Sequence, residues 1–434
     1  MTATTATHTP AESPDMRKLA SASLIGTTLE WYEFTIYNTM AALIFNKVFF
    51  PSFDPLVGII LAFSTYAVGY VSRPFGGVLF GHLGDKLGRR FVLVATLVLM
   101  GVTTLLMGLL PTYETIGIAS PILLVLLRFV QGVALGGEWA GAVLLSVEHG
   151  RQDRRGLNAS FTQMGPSAGT LIATAVIALV TLTLSDQDFL AWGWRIPFIL
   201  SVVLVIFGLW IRRGVEETPM FKEMEEHNTK AEAPIGEVLG QHWRRLVVAG
   251  GVRIGSDVLY ALVVVFILTY VTQVLNLPRS LALTAVLVGA GFNALAVPLF
   301  GLLSDRIGRR PVYAFGALGG VVWAFAFFVL LDTREPVMIV LGATVGLLFH
   351  AAMYGPQAAF IVEQFPTNVR YSGASLAYTF AGVVGGGFAP LIIATLFQRY
   401  GTTTAISLYV VAALAITLTM LAVARETYRS HLSE

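Results

Sequence analysis

The sequence predicts an all-α integral membrane protein, with twelve transmembrane helices in two six-helix pseudo-symmetric halves and both termini cytoplasmic. Three observations carry this. Hydrophobic residues make up 55% of the chain and charged ones only 12%, at a mean hydropathy of +0.73. Long apolar stretches recur along all 434 residues, and sequence motifs of the first half return in the second. Such a composition does not fit a water-facing surface, so the solvent is mostly lipid. Lipid offers backbone groups no hydrogen-bond partners, and the apolar runs lack the strict alternation of a membrane β-barrel, so the spans should be helices.

Taken in order, residues 1–20 open with MTATTATHTPAESPDM, a polar segment with Pro10 and Pro14 and no signal-peptide character. They are expected to form a disordered cytoplasmic tail. A hydrocarbon core of about 30 Å needs about 20 residues per helix. Stretches of that kind lie at 21–46, 56–81, 91–110, 119–146, 158–184 and 192–212, and again at 244–274, 279–303, 312–331, 336–361, 372–398 and 402–423. The polar run 214–243 reads as a cytoplasmic linker between halves 21–213 and 244–424, and 425–434 as a second cytoplasmic tail. With the N-terminus inside, cytoplasmic segments hold twenty of the 28 Lys and Arg residues, while the other side holds Lys47, Arg279, Arg334 and Arg399. That asymmetry sets the orientation. The net charge of +2 reflects this loop bias and carries no reading of nucleic-acid binding.

The two halves are internally similar. GHLGDKLGRR at 81–90 returns as GLLSDRIGRR at 301–310, each between the second and third spans of its half. Glu148 precedes Arg155 by the same seven residues that separate Glu363 from Arg370, and Glu217-Thr218 matches Glu426-Thr427. Repeated halves place a substrate site at the bilayer midplane between them and favour rocking of one against the other.

These residues resemble the major facilitator superfamily, whose loop signature matches Gly81, Asp85, Gly88, Arg89 and Arg90, and again in the second half. More narrowly, Glu30-Trp31-Tyr32-Glu33-Phe34, Arg73-Pro74, RFVQGVALGGEW at 128–139, WGWRIPF at 192–198 and EETPMF at 216–221 are similar to the metabolite:proton symporters. The resemblance implies the major facilitator fold in a bacterial inner (plasma) membrane. It also implies proton-gradient-driven import of substrates such as dicarboxylates, tricarboxylates, shikimate, proline or betaine. The family usually carries Asp where this chain has Glu33. A zwitterionic osmolyte or proton-driven efflux remain alternatives. The expected partners are a small organic acid, protons and the bilayer, in a monomer without nucleic acid, cofactor or metal.

Glu30, Glu33 and Tyr37 fall on one face of the first span. A carboxyl in low dielectric holds its proton when alone and releases it to a nearby cation, so it can carry a coupling proton. Related proton-coupled sugar porters pair a first-span acid with a fourth-span arginine, which implies Glu33 as proton carrier, Arg128 as its gate and Glu30 as an accessory. A permanent interhelical ion pair is the plainer reading of the same residues. Arg253, Asp257 and Tyr260 repeat the pattern in the seventh span. Arg253 is the leading anion ligand, because a guanidinium presents paired donors to a carboxylate. Asp257 one turn away can instead neutralise it. His350, Tyr354 and Gln357 share a face of the tenth span, and Gln131, Gln163, Tyr66 and Tyr70 are further lining candidates. The family likeness implies gating or conformational roles for Arg73, Asp85, Arg89, Arg90, Glu148 and Arg155, and for Asp305, Arg309, Arg310, Glu363 and Arg370. Asp85 and Asp305 are expected to cap helix N-termini.

Glycines four apart, Gly77 with Gly81, Gly132 with Gly136, Gly137 with Gly141, and Gly165 with Gly169, suit close helix packing. Pro166, Pro390 and the run Gly385 to Gly387 are expected to bend spans five and eleven. An enzyme would need a convergent set such as a metal-binding histidine cluster or an activated nucleophile. The seven histidines are scattered, there is no cysteine, and no HExxH or GxSxG motif occurs.

Overall fold

The computed structural model describes residues 16–87, 89–136, 138–148, 152–212, 235–366 and 369–429. Helices occupy all twelve expected stretches. In the first half they are α1 (Met16–Leu43), α2 (Pro55–Val71 continued by Arg73–Leu87), α3 (Arg89–Leu109), α4 (Ala119–Ala134 continued by Glu138–Glu148), α5 (Arg155–Thr183) and α6 (Ile196–Arg212). In the second they are α7 (Trp243–Tyr260, running on to Val274), α8 (Arg279–Ile307), α9 (Arg309–Asp332), α10 (Pro336–Glu363), α11 (Arg370–Ala381, running on to Tyr400) and α12 (Thr403–Val423).

Among the described residues nine helices are long and apolar enough to cross a membrane. The other three are α1, which carries Arg17, Lys18, Glu30 and Glu33, and α3 and α4, whose apolar parts Val94–Leu109 and Ala119–Ala134 are shorter. Large apolar side chains such as Leu182, Val203, Val329 and Val337 stand exposed on the outside, as a lipid-facing surface requires.

Several boundaries differ from expectation. The first helix already includes residues 16–20, which were read as part of the tail, while residues 1–15 lie outside the described residues. Residues 213–234 of the linker lie outside the described residues, and the rest is not free chain: a short helix spans Ile235–Gln241, with Val238 buried. The fourth span is interrupted at Leu135 and Gly136. Two stretches of α7, Ala261–Phe266 and Tyr270–Val274, and the glycine run Gly382–Gly387 of α11 are π-helical. Pro166 is carried inside the continuous helix α5. Wide turns of this kind leave carbonyls imperfectly bonded and mark places where a helix can bend.

Among the described residues the halves meet chiefly through α5 with α8 and α2 with α11, and also through α5 with α10. The sequence repeat exchanges the first two pairs, since α2 corresponds to α8 and α5 to α11. Glycine sets the spacing within a half as well. A Cβ on Gly132 of α4 would lie 1.9 Å from Ser72 Oγ and 2.1 Å from the Gly69 carbonyl of α2, and one on Gly136 would lie 2.1 Å from the Arg73 carbonyl. Across the interface, Gly301 of α8 leaves room only for Ser160 and the Gly156 carbonyl of α5.

Overpacking such a contact costs about 1–3 kcal/mol. Gly132→Val should therefore lower the apparent Tm of the purified protein by several degrees and broaden its size-exclusion peak. Gly236→Ala, with nothing within 4 Å of the added methyl, should leave both unchanged or slightly improved. A Gly132→Val protein as stable as wild type would contradict the backbone-contact packing.

Candidate functional site

Charged groups converge at three levels of the interface between the halves. At the arginine-rich end, Asp305 of α8 reaches across to α5, accepting from the backbone N–H of Gly156 at 2.8 Å and of Leu157 at 2.9 Å. It thereby caps the N-terminus of a helix in the opposite half, where unpaired N–H groups and the helix dipole favour an anion. Arg309 links Asp305 (2.6 Å) to Glu363 (3.2 Å), and Arg155 of the first half joins Glu363 at 3.2 Å. Arg155 also donates to the carbonyls of Thr427 and Tyr428. Glu426 caps α9 through the N–H groups of Arg309 and Arg310, and Thr427 donates to Glu363 at 2.6 Å. Arg370 donates to the Phe365 carbonyl. The side chains of Asp85, Arg89, Arg90 and Glu148 lie outside the described residues. The opposite end is closed by an ion pair between Arg279 of α8 and Asp186, with the Arg279 guanidinium 4.2 Å from the Phe189 ring centre. Polar contacts thus tie the halves together at both ends.

Within the first half, Glu33 and Arg128 are not directly paired. Thr104 donates to Glu33 Oε2 at 2.7 Å, and Gln131 Nε2 reaches Thr104 at 2.7 Å and Glu33 at 3.5 Å. The carbonyl oxygen of the same Gln131 accepts from Arg128 Nη1. The expected acid–base pair is therefore relayed by a glutamine, and Gln131, expected to line the site, is fully buried between them. Arg128 lies against three rings, 4.1 Å from Phe34, 4.1 Å from Tyr37 and 5.1 Å from Tyr66, while its Nε and Nη2 find no hydrogen-bond partner. Each such ring contact contributes roughly 1–2 kcal/mol where water is excluded. Tyr37 bonds Thr65. Gly69 makes room for this arginine, since a Cβ there would come within 2.6 Å of its Nε.

In the second half Arg253, the expected anion ligand, is already engaged. It pairs with Asp257 at 2.8 Å, donates to the Tyr378 carbonyl at 2.6 Å and stacks 3.5 Å from the centre of the Tyr378 ring. On the far side of the interface Trp139 of α4 stacks on Tyr378, centroids 3.6 Å apart and planes 9° from parallel. Trp139 donates to Gln163 at 3.0 Å, and Gln163 reaches Gln357 at 3.4 Å. Gln357 donates to Ser256 and Tyr313, each at 3.0 Å. Both glutamines are buried, holding helices together.

Among the described residues, two narrow cavities lie between the halves. One is lined by Trp31, Tyr66, Tyr70, Pro166, Ser167, Asp257, Tyr260, Ala261, Val265, His350, Tyr354 and Gly386. The other lies among Glu30, Trp31, Phe34, Arg73, Leu135, Gly136, Trp139, Ala140, Ser375, Tyr378 and Thr379. Of the expected solute-binding and lining residues, Asp257, Tyr260, His350, Tyr354, Tyr66 and Tyr70 face the first cavity. Arg253, Tyr37, Gln131, Gln163 and Gln357 line neither, because each is committed to a buried partner. His350 is held by Asn293 at 3.2 Å and stacks on Tyr354. Tyr260 bonds Thr170 of the other half at 2.6 Å. Trp31, Phe34, Trp139, Ser375, Tyr378 and Thr379 were not anticipated as lining residues. Trp31 and Trp139 lay inside quoted motifs, whereas the α11 residues carried no spacing signal.

A family model described as Major Facilitator Superfamily matches residues 23–390. The shikimate transporter of Escherichia coli K12 is 40% identical over 91% of this chain and 91% of its own length. The inner membrane metabolite transport protein YhjE of the same strain is 39% identical over 98% of each. A solved, partially occluded inward-open structure of the xylose transporter XylE from E. coli shares the fold, with a TM-score of 0.76 at 18% identity, covering 96% of this chain and 99% of its own.

The lock at the arginine-rich end is testable, because the chain has no cysteine of its own. A single cysteine replacing buried Ser160, beside Gly301, should react slowly with a water-soluble maleimide. Adding Asp305→Asn, which removes the carboxylate cap, should raise that rate by about tenfold or more, given that charged hydrogen bonds contribute roughly 1.5–3 kcal/mol. An unchanged rate would show that the cap does not hold this end shut.

Proposed function

The chain belongs to the Major Facilitator Superfamily, and from that premise we propose that it is a proton-coupled importer of a small organic carboxylate working by alternating access. The chain is a multi-pass transporter of the inner membrane. In the proposed cycle twelve helices span the bilayer, both termini face the cytoplasm, and a monomer runs on the proton gradient without a cofactor. The observation that carries the coupling is the Glu33–Gln131–Arg128 relay. A buried carboxylate near a guanidinium with two unbonded nitrogens can be stabilised either by a proton or by closer approach of the cation, and the choice between them depends on helix positions. Solute enters the cavity between the halves, where Asp257, Tyr260 and His350 offer acceptors and donors for hydroxyl groups. The end bearing Asp305 and Glu363 then opens, as α5 loses its cap and Arg155 its partner. The 40% identity to a protein named as a shikimate transporter supports a hydroxylated carboxylate as substrate.

A second reading is favoured by one observation. Trp31, Tyr66, Tyr70, Tyr260 and Tyr354 surround the cavity beside Asp257, a setting that also suits a quaternary ammonium. Uptake into liposomes separates the two. Labelled shikimate, 2-oxoglutarate, citrate, small monocarboxylates, proline and betaine are offered with and without an inward proton gradient. One carboxylate should accumulate severalfold more with the gradient, and Glu33→Gln should abolish accumulation while sparing solute exchange. Uptake of betaine or proline alone would overturn the substrate class, and gradient-driven uptake by Glu33→Gln would overturn the coupling role.

A further inference from the structure

Every arginine buried at the interface has a physical reason to be there, and Arg73 has the least complete one. It lies on α2 just after Ser72, with 8% of its surface exposed. Its guanidinium sits 3.9 Å from the Tyr70 ring centre and 4.6 Å from that of Phe34. Among the described residues it makes no hydrogen bond and no ion pair, and its Nε is buried without a partner. Arg253, by contrast, is neutralised by Asp257 and bonded to Tyr378.

Ring contacts use the flat face of a guanidinium, whereas its N–H donors point outward in the plane. Stacking on Tyr70 and Phe34 therefore orients Arg73 while leaving its donor fork open for a planar, two-oxygen acceptor. The cavity it lines is closed from the other half by Ser375, Tyr378 and Thr379 of α11, and Trp31 is shared with the neighbouring solute cavity. A ligand there touches both halves at once, as a transported solute must.

Resting on the carboxylate-transport reading above, we propose that Arg73 is the ligand of the solute's carboxylate group and sets the preference for acids. The fork binds the two oxygens, the hydroxyls of Ser375 and Thr379 supply further donors, and the rest of the solute extends past Trp31 towards Asp257 and His350. Glu30 is the other charged group lining this cavity among the described residues.

The test compares each acid with its uncharged or cationic methyl ester. Shikimate, 2-oxoglutarate and betaine, with their esters, are titrated into the purified full chain in nanodiscs and followed by isothermal calorimetry. Wild type should bind at least one acid about tenfold or more tighter than its ester, the size expected for charge-assisted hydrogen bonds. Arg73→Gln should bring acid and ester within about twofold, whereas Arg253→Gln should keep the wild-type ratio. If Arg73→Gln does not fold, Arg73→Lys decides, since an ammonium keeps the charge but loses the fork: a reduced ratio supports the assignment and an unchanged one overturns it. An Arg73→Gln protein that weakens acid and ester equally would make Arg73 a structural or gating residue and leave carboxylate transport standing. Wild type that binds none of the acids would remove both readings.

Discussion

A charge withdrawn from water into a lipid-facing bundle must find its compensation inside the protein, and this chain finds much of it across the boundary between its two halves. Asp305 caps a helix of the opposite half, and Glu363 is shared by an arginine from each half. Removing one partner of such a buried set costs about 3–5 kcal/mol, because the remaining charge is left unpaired. Separating the halves at that end lets water take over the same groups. The cluster is therefore stable when closed and tolerable when opened, which is the property a gate needs. The weaker pair of Arg279 with the exposed Asp186 at the other end already has water at hand, so it opens at lower cost.

The centre of the molecule obeys the same constraint with different means. Arg128 and Arg73 are compensated by aromatic faces, and Arg128 by a glutamine as well. Rings stabilise a cation without fixing its hydrogen bonds, so both arginines keep donors for a group that arrives later. Arg253 is tied to Asp257, and through the Tyr378 ring to Trp139 of the other half. That chain of contacts joins a carboxylate facing the solute cavity to the stacked pair at the cavity's edge. The π-helical turns of α7 and α11 lie next to it and give both helices a place to bend.

Much of the fold was legible because it is written in features that do not depend on side-chain direction. Apolar length located the helices, and the repeated loop motif is what suggested two halves. The site was legible only in part. Spacing put Glu33, Asp257, Tyr260 and His350 on useful faces, but it could not say which neighbour each would choose. Gln131 stepping between Glu33 and Arg128, and Tyr378 occupying Arg253, are contacts between helices distant in sequence. The family likeness implied a gating or conformational role for Arg73, and its position against two rings depends on how α1 and α2 pack. The break in α4 and the π turns of α7 had no proline at the site to announce them.

In the proposed cycle the two ends of the interface open reciprocally around one site. Spin labels on cysteines at Gln152 and Arg306 report the arginine-rich end, and labels at Gln187 and Glu335 report the other. Double electron–electron resonance in nanodiscs, at acidic and alkaline pH and with and without solute, gives the two distance distributions. Conditions that widen one pair should narrow the other. Both pairs widening together, or neither responding to pH or solute, would contradict it.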